Sequence, residues 1–427
     1  MLWEKFNFKI DGEDYMSEPW KEWIPGVLSK KQVIELCREN YIKNVKDWDS
    51  DDKHINPIDH SAIDLTLANE GYKMVAGSIK PTEGDSYRRT VIGNNNYATS
   101  HPQESSEIFS LEKKQTYLFR LNETLDGHRL KGSSIHGQAT AKSSVGRVDV
   151  LARLIVDEMD RYEYFDPQKL PSHDVEMFLE ITPITFNVRV KVGEPLSQLR
   201  LFYCHPDNSR IQGKELCQCL LHREDGVTDS SLSVDLSGTK IFKGDQSIYK
   251  DKIVAFRATK DQETLLDLWG EDGLAPEKLW DCLEEDKKTG RLLVEKEKFY
   301  ILRSKERLCL PEGIAVYCRA IDETIGEMRI HYAGFAHPFF GKNRKDGKKG
   351  TPLIFEVRGH NINVNLVDDE KLARLEFYRM SKDCVEEPTV KQKSEEKQEI
   401  KQSDGYNEQE LKLSRFFKDW GQVVSKS

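Results

Sequence analysis

The chain has 427 residues, of which 32% are charged and 37% hydrophobic, and its formal net charge is −9. That length exceeds one ordinary core and predicts about two or three domains with a well-solvated surface. The acidic balance excludes broad electrostatic binding to nucleic acid or anionic lipid, and no apolar run reaches the roughly 18 residues of a spanning helix.

The first residues, Met1-Leu2-Trp3-Glu4-Lys5-Phe6, lack the basic-then-apolar layout of a signal peptide. The eight cysteines are scattered along the chain, which fits free thiols in a reducing compartment and predicts a cytoplasmic location. Residues 1–54 read as a helical segment. Within it Leu28, Val33, Leu36 and Cys37 recur at helical spacing behind the cap candidate Ser29. From Ile55 the pattern turns to short apolar or alternating runs, such as Ile63-Asp64-Leu65-Thr66-Leu67, Tyr117-Leu118-Phe119-Arg120-Leu121 and Val188-Arg189-Val190-Lys191-Val192. Gly, Pro, Asn and Asp punctuate them, so residues 55–222 are expected to form a β-barrel module.

A second module is expected over 223–383, because the pattern repeats. At an offset of 176 residues, Glu180-Ile181 falls on Glu356-Val357, Asn187-Val188 on Asn363-Val364, and Leu196 and Leu199 on Leu372 and Leu375. At an offset of 183, Tyr117 and Arg120 fall on Tyr300 and Arg303, and Glu123 on Glu306. A weaker echo sets Ile63-Asp64-Leu65 over Val234-Asp235-Leu236. Three echoes in one order argue for a duplicated unit. Leu265, Leu266, Leu268, Trp269, Leu279, Trp280 and Leu283 suggest short helices at 260–290 on a barrel edge. Residues 384–404, rich in Lys, Glu, Gln and Ser, read as a solvated linker. The tail, 405–427, places Leu411, Leu413, Phe416, Phe417 and Trp420 on one face of an expected short helix, which would dock on a partner or close over a site.

The segment with most chemical content is Lys142-Ser143-Ser144-Val145-Gly146-Arg147. Two hydroxyls lie between two cations, and Gly146 permits close approach of backbone N–H groups. That combination suits phosphate oxygens, with Arg147 able to bind bidentately. The alternative is a polar turn between strands. Cys204, His205, Cys217, Cys219 and His222 were weighed as a zinc set, but their spacing matches no standard site, and ordinary burial is the preferred reading.

In order, Ser61-Ala62-Ile63-Asp64-Leu65, the block 141–150 around the hexapeptide, Leu179-Glu180-Ile181-Thr182-Pro183, Leu196-Ser197-Gln198-Leu199-Arg200, His331-Tyr332-Ala333-Gly334-Phe335 and Phe355-Glu356-Val357-Arg358 resemble the double-length dCTP deaminases of the deaminase/dUTPase-like superfamily. Leu411-Lys412-Leu413-Ser414 resembles the family's C-terminal tail. The resemblance covers roughly residues 25–420 and implies a mainly β fold of two tandem dUTPase-like barrels with α insertions. It implies hydrolytic deamination of dCTP to dUTP and ammonia without a catalytic metal, a step that supplies dUTP and dUMP for thymidylate synthesis. The chain has no Pro-Cys-x-x-Cys, which zinc deaminases require after His-x-Glu, so a carboxylate must activate water. The resemblance gives that role to Glu356, with Glu180 as runner-up.

The two copies are unequal. The first holds the basic hexapeptide. The second has Asp322-Glu323-Thr324-Ile325-Gly326-Glu327 near the corresponding position, but carries the hairpin with Ala333 and Gly334, suited to a flat ring. Because sites in single-module relatives form between barrels, a composite site is expected. Lys142, Ser143, Ser144, Gly146 and Arg147 would hold the triphosphate and Tyr332, Ala333 and Gly334 the base. Gln198, Tyr406 and Lys412 complete the binding set, and tail residues around 406–414 close over the nucleotide. Mg²⁺ is expected to bridge phosphate oxygens, with no protein side chain as metal ligand and no zinc. A homo-oligomer is expected, with no nucleic-acid or membrane partner. Glu408 and Glu410 depart from the family tail, and His337 stands where relatives tend to carry Asp. The competing readings are a non-catalytic deoxynucleotide sensor and a dUTP pyrophosphatase-type hydrolase.

Overall fold

A computed structural model describes residues 20–420 except 21, 53–54, 241, 244–245, 248–251, 260–262, 271–272, 322–327, 331–333, 343, 345, 385–408 and 419. The expected linker lies almost wholly outside the described residues, as do the acidic run 322–327, Tyr332, Ala333, Tyr406 and Glu408. Among the described residues no helix is long and apolar enough to cross a membrane.

The first module is an antiparallel sheet that runs, in spatial order, through Tyr164–Phe165, Ile135–Ala141, Pro195–Tyr203, Ala62–Met74, Tyr117–Asp126, Asp174–Pro183 and Val150–Val156. It curls nearly into a barrel, as the alternating patterns predict. The second module splits the same order between two sheets. One carries Lys371–Arg379 and Ile314–Ala320, and the other carries Ile253–Ala258, Phe299–Leu308 and Thr351–Gly359. The duplication is visible in the register. Glu180 pairs with Leu118 in the first module, and Glu356 with Ile301 in the second. The weaker echo is misaligned. Thr66 pairs with Pro195 and Ser233 with Lys371, so Thr66 corresponds to Ser233, four residues from the match in the letters. Both make the same contact: Thr66 N–H donates to Glu123 at 2.9 Å, and Ser233 N–H to Glu306 at 2.7 Å.

Four expectations need correcting. The 1–54 segment contains a helix, Lys30–Arg38, where Gln32 accepts from the Ser29 N–H at 3.0 Å. Its described part, within 20–52, is no separate unit, however: Leu28, Val33 and Leu36 are buried in the first core. Residues 206–222 belong with the second module rather than the first, because Arg210–Ile211 pairs with Lys371–Arg379 and Leu221–His222 with Phe299–Leu308.

The third correction concerns the expected helices at 260–290. Leu265–Asp267 is a strand parallel to Asn187–Lys191, and Trp280–Glu284 pairs with Ile253–Ala258. Leu266 and Leu268 are buried while Leu265 is exposed, a period of two rather than 3.6. Open strand edges offered these residues inter-strand hydrogen bonds.

Among the described residues of the tail, 409–418 and 420, no helix forms either. Lys418 N–H donates to Leu274 O at 3.0 Å, so it joins a strand edge instead of closing a helical turn. Leu413, Phe416 and Phe417 are buried in the first core, Phe417 edge-on to Trp280 at 6.0 Å, and Trp420 stacks on Phe256 at 5.1 Å. Burial of each such side chain contributes on the order of 1.5–3 kcal/mol before ordering costs. The far end of the tail is therefore held by packing.

Between the modules Phe202 meets Tyr378 at 5.8 Å. Leu199 and Leu375 occupy matching register positions opposite Ala139 and Cys318, so Phe202 and Tyr378 are themselves counterparts. The barrels face each other about a pseudo-twofold axis.

Candidate active site

A cavity of about 270 Å³ opens at this interface, lined from both modules. The first contributes Lys142, Ser143, Arg147, Gln198, Arg200, Ser61 and His60. The second contributes Gly334, Phe335, His337, Cys318 and Glu356, and the tail adds Gln409. The hexapeptide forms a single helical turn, Ser143–Gly146, that follows the strand Ile135–Ala141. Lys142 N–H donates to Leu196 O at 3.0 Å, which fixes where the turn begins.

Glu356 lies on the Thr351–Gly359 strand, and its carboxylate sits against Gly146. A Cβ built at 146 would lie 3.0 Å from Glu356 Cδ and closer still to Oε2. The glycine therefore serves the carboxylate, a requirement the sequence placed on phosphate. Burial raises the Glu356 pKa to about 8, and the Arg147 cation opposes that rise. Neighbouring Cys318 is raised to about 12, chiefly by burial, so it is a neutral thiol. Beside the carboxylate, Arg358 forms an ion pair with Asp149 and donates to Thr185 at 2.5 Å. This joins the two modules next to the cavity.

The cationic side is already organised. Lys142 pairs with Asp64, to which Gln198 donates at 2.9 Å. Arg200, fully buried and with its pKa lowered by burial, donates to Thr140 at 2.8 Å and lies 3.7 Å from the Phe335 ring centroid. Arg147 donates to Gln409 Oε1 at 2.8 Å and to Lys412 O at 3.4 Å. Ser144 is buried, and its carbonyl accepts from the Ser414 hydroxyl at 2.8 Å. His60 and His337 stack across the interface at 4.2 Å.

Of the expected residues, Lys142, Ser143, Arg147, Gln198, Gly334 and Glu356 thus line one cavity, with Gly146 against Glu356. Ser144 turns its backbone to the tail, and Lys412 is exposed, its carbonyl accepting from Arg147. Glu180 is not brought there. It is buried among Arg153, which donates at 3.0 Å, Tyr162 at 3.2 Å and Ser78 at 3.1 Å.

That location is the pseudo-twofold mate of the cavity. Ala139 N–H donates to Glu163 O at 2.8 Å, and its counterpart Cys318 N–H to Gly334 O at 2.7 Å. Where the second module has Gly334, the first carries the side chain of Glu163. Burial raises that carboxyl to about 7. Glu163 Oε1 is buried there, and the Glu180 carboxylate is tied to Arg153.

Sequence reasoning missed Ser61, His60, Arg200, Cys318 and Gln409. Ser61 and Arg200 stood inside recognised blocks, and the Ser61 hydroxyl is buried with no hydrogen-bond partner among the described residues. Nothing in the letters marked His60, Cys318 or Gln409. Cys217 and Cys219 share one short helix, Cys217 buried and Cys219 exposed, and all eight cysteines are free thiols.

Residues 24–205 match the profile of the 2′-deoxycytidine 5′-triphosphate deaminase (DCD) N-terminal domain, and residues 210–417 that of its C-terminal domain. Among solved structures, the 2′-deoxycytidine 5′-triphosphate deaminase from Agrobacterium tumefaciens superposes with a TM-score of 0.68 at 23% identity, over 84% of this chain and 97% of its own. That likeness concerns the fold. An oxalate decarboxylase structure aligns at a TM-score of 0.11 and 12% identity, over 77% of this chain and 81% of its own, and carries no argument. No curated protein matches the sequence.

Proposed function

The chain belongs to the 2′-deoxycytidine 5′-triphosphate deaminase family, hydrolytic deaminases of dCTP, and we propose that it carries out this reaction in the inter-module cavity with Glu356 as its acid–base group. The observation that carries the assignment is the contact between Gly146 of the phosphate-type turn and the Glu356 carboxylate. It puts the two halves of the expected site together within one chain.

Lys142, Ser143 and Arg147 face the triphosphate, and Gln198 and Ser61 offer further hydrogen bonds. Gly334 lines the space for the ring, and Arg200 and Phe335 form a stacked wall beside it. The ionised Glu356 takes a proton from water as the oxygen adds to C4 of cytosine. It delivers that proton to N3, then takes the remaining hydroxyl proton and passes it to the amine, which leaves as ammonia while the C4 carbonyl forms. A carboxyl with a pKa near 8 is suited to both transfers near neutral pH. Arg147 stabilises its ionised form, and the dry wall strengthens that interaction.

Mg²⁺ enters as part of the substrate, held by phosphate oxygens. Asp64, beside the turn, is already engaged by Lys142 and Gln198, which suits a metal carried by the nucleotide. The free cysteines support a cytoplasmic location. The assembly is read as a homo-oligomer of chains that each hold a complete site, which light scattering tests. The deaminase reading is tested by incubation with dCTP and Mg²⁺ and chromatography of the products. Formation of dUTP with equimolar ammonia is expected. Intact dCTP, with added dUTP cut to dUMP and pyrophosphate, would favour the pyrophosphatase reading, and binding without turnover the sensor.

A further inference from the structure

Glu410 stood out in the sequence as a negative charge out of place near a triphosphate. In the structure it is gripped by more cations than any other described side chain of the tail. Arg303 donates to its Oε2 at 2.8 Å, and Arg307 and Arg344 donate to its Oε1 at 2.9 and 3.1 Å. Lys348 approaches to 3.7 Å. Arg344 is 1% exposed at its side chain and Arg303 10%. The other acids facing this cluster are Asp235, on Arg303 at 2.8 Å, and Asp346, which pairs with Arg344 and Lys348. Among the described residues, Glu410 thus adds a third carboxylate to a seat where Asp235 and Asp346 face the same cations. If the tail lifts, Arg303, Arg307 and Arg344 each lose this charged acceptor.

The neighbouring residue does a different job. Gln409 accepts from Arg147 at 2.8 Å and donates to Pro352 O at 3.1 Å. One residue thus holds the tail to arginines of the second module, and the next holds the phosphate-turn arginine of the first. Packing of Phe416, Phe417 and Trp420 fixes the far end but leaves open how residues 409–412 lie over the cavity.

We propose that Glu410 is a positioning residue for the nucleotide site: its seat among Arg303, Arg307 and Arg344 latches the tail in the register that brings Gln409 onto Arg147. This rests on the reading of the cavity as the dCTP site. A charge-assisted latch of this kind is sensitive to ionic strength and to loss of charge at unchanged shape.

The test uses the full-length chain with Glu410→Gln, Glu410→Ala and Glu410→Asp. Trypsin release of the tail at Lys412 and Arg415 is followed alongside dCTP kinetics from about 0.05 to about 0.5 M NaCl. Glu410→Gln and Glu410→Ala are expected to release the tail and to raise KM for dCTP, each about ten-fold or more, with kcat within about three-fold. Glu410→Asp is expected to restore most of both. The wild-type KM is expected to rise more steeply with salt than that of Glu410→Gln, which keeps only the salt dependence of triphosphate binding itself. Unchanged trypsin resistance, or a released tail with an unchanged KM, overturns the proposal. A wild type that leaves dCTP intact, with a tail still released by Glu410→Gln, counts against the deaminase reading and for the latch.

Discussion

Gly146 and Glu356, 210 positions apart in the sequence and in different modules, are in van der Waals contact, with the Gly146 Cα facing the carboxylate. A methyl group at 146 has no space unless Glu356 moves. Gly146→Ala is therefore expected to lower kcat about ten-fold or more, because a carboxylate displaced by even an ångström no longer lines up with water and C4. The helical turn itself accepts alanine, so the melting temperature is expected to change little. A normal kcat would show that the contact is not needed for turnover.

The Glu356 pKa near 8 has two consequences with definite signs. In the free enzyme the ionised form is the base, so kcat/KM is expected to rise about ten-fold per pH unit at low pH and to level off above about pH 8. For stability, the folded pKa lies above the unfolded value of 4.5, so the folded state binds more protons between these values and stability falls as pH rises through that window. Glu356→Gln removes the penalty. It is expected to abolish ammonia release and to raise the melting temperature more at pH 8.5 than at pH 6. Thermal melts at the two pH values, read beside activity, check both.

Ser143→Ala and Arg147→Ala are each expected to cost about ten-fold or more in kcat/KM. Arg147→Lys keeps the charge but loses the planar fork that now reaches both Gln409 and Lys412 O, so it is expected to recover only part of the activity. Full recovery with lysine would mean that charge alone is used.

The mate of the cavity holds Glu180 bound to Arg153 and Tyr162, with Glu163 at the register position of Gly334. Calorimetric titration of Glu356→Gln with dCTP is expected to give one nucleotide per chain. Glu180→Gln is expected to keep kcat within about three-fold while destabilising the fold, because it leaves Arg153 beside a weaker acceptor. Two equivalents bound, or loss of turnover in Glu180→Gln at intact stability, would reinstate Glu180 as a base.

Strands, duplication and the basic turn were legible because they depend on local patterns. Alternation set the strands, echoed residues showed the repeat, and cations around hydroxyls marked the turn. The misread segments share a cause. Leu266 with Leu268, and Phe416 with Phe417, are apolar runs too short for periodicity to separate helix from strand, and neighbouring strand edges decided the matter. The third echo failed because a match of three letters carries less information than the hydrogen-bond register.

By itself the sequence determined which atoms are available: a basic turn, two glutamates at matching places in a repeat, and an apolar tail. Those are properties of residue type and spacing, and they survive without coordinates. Only the tertiary structure decided that Glu356 rather than Glu180 meets the turn, that Gly146 makes room for it, and that Glu410 is held rather than repelled. Burial and charge compensation at an interface are set by what folds in from hundreds of residues away, and local sequence carries no record of that distance.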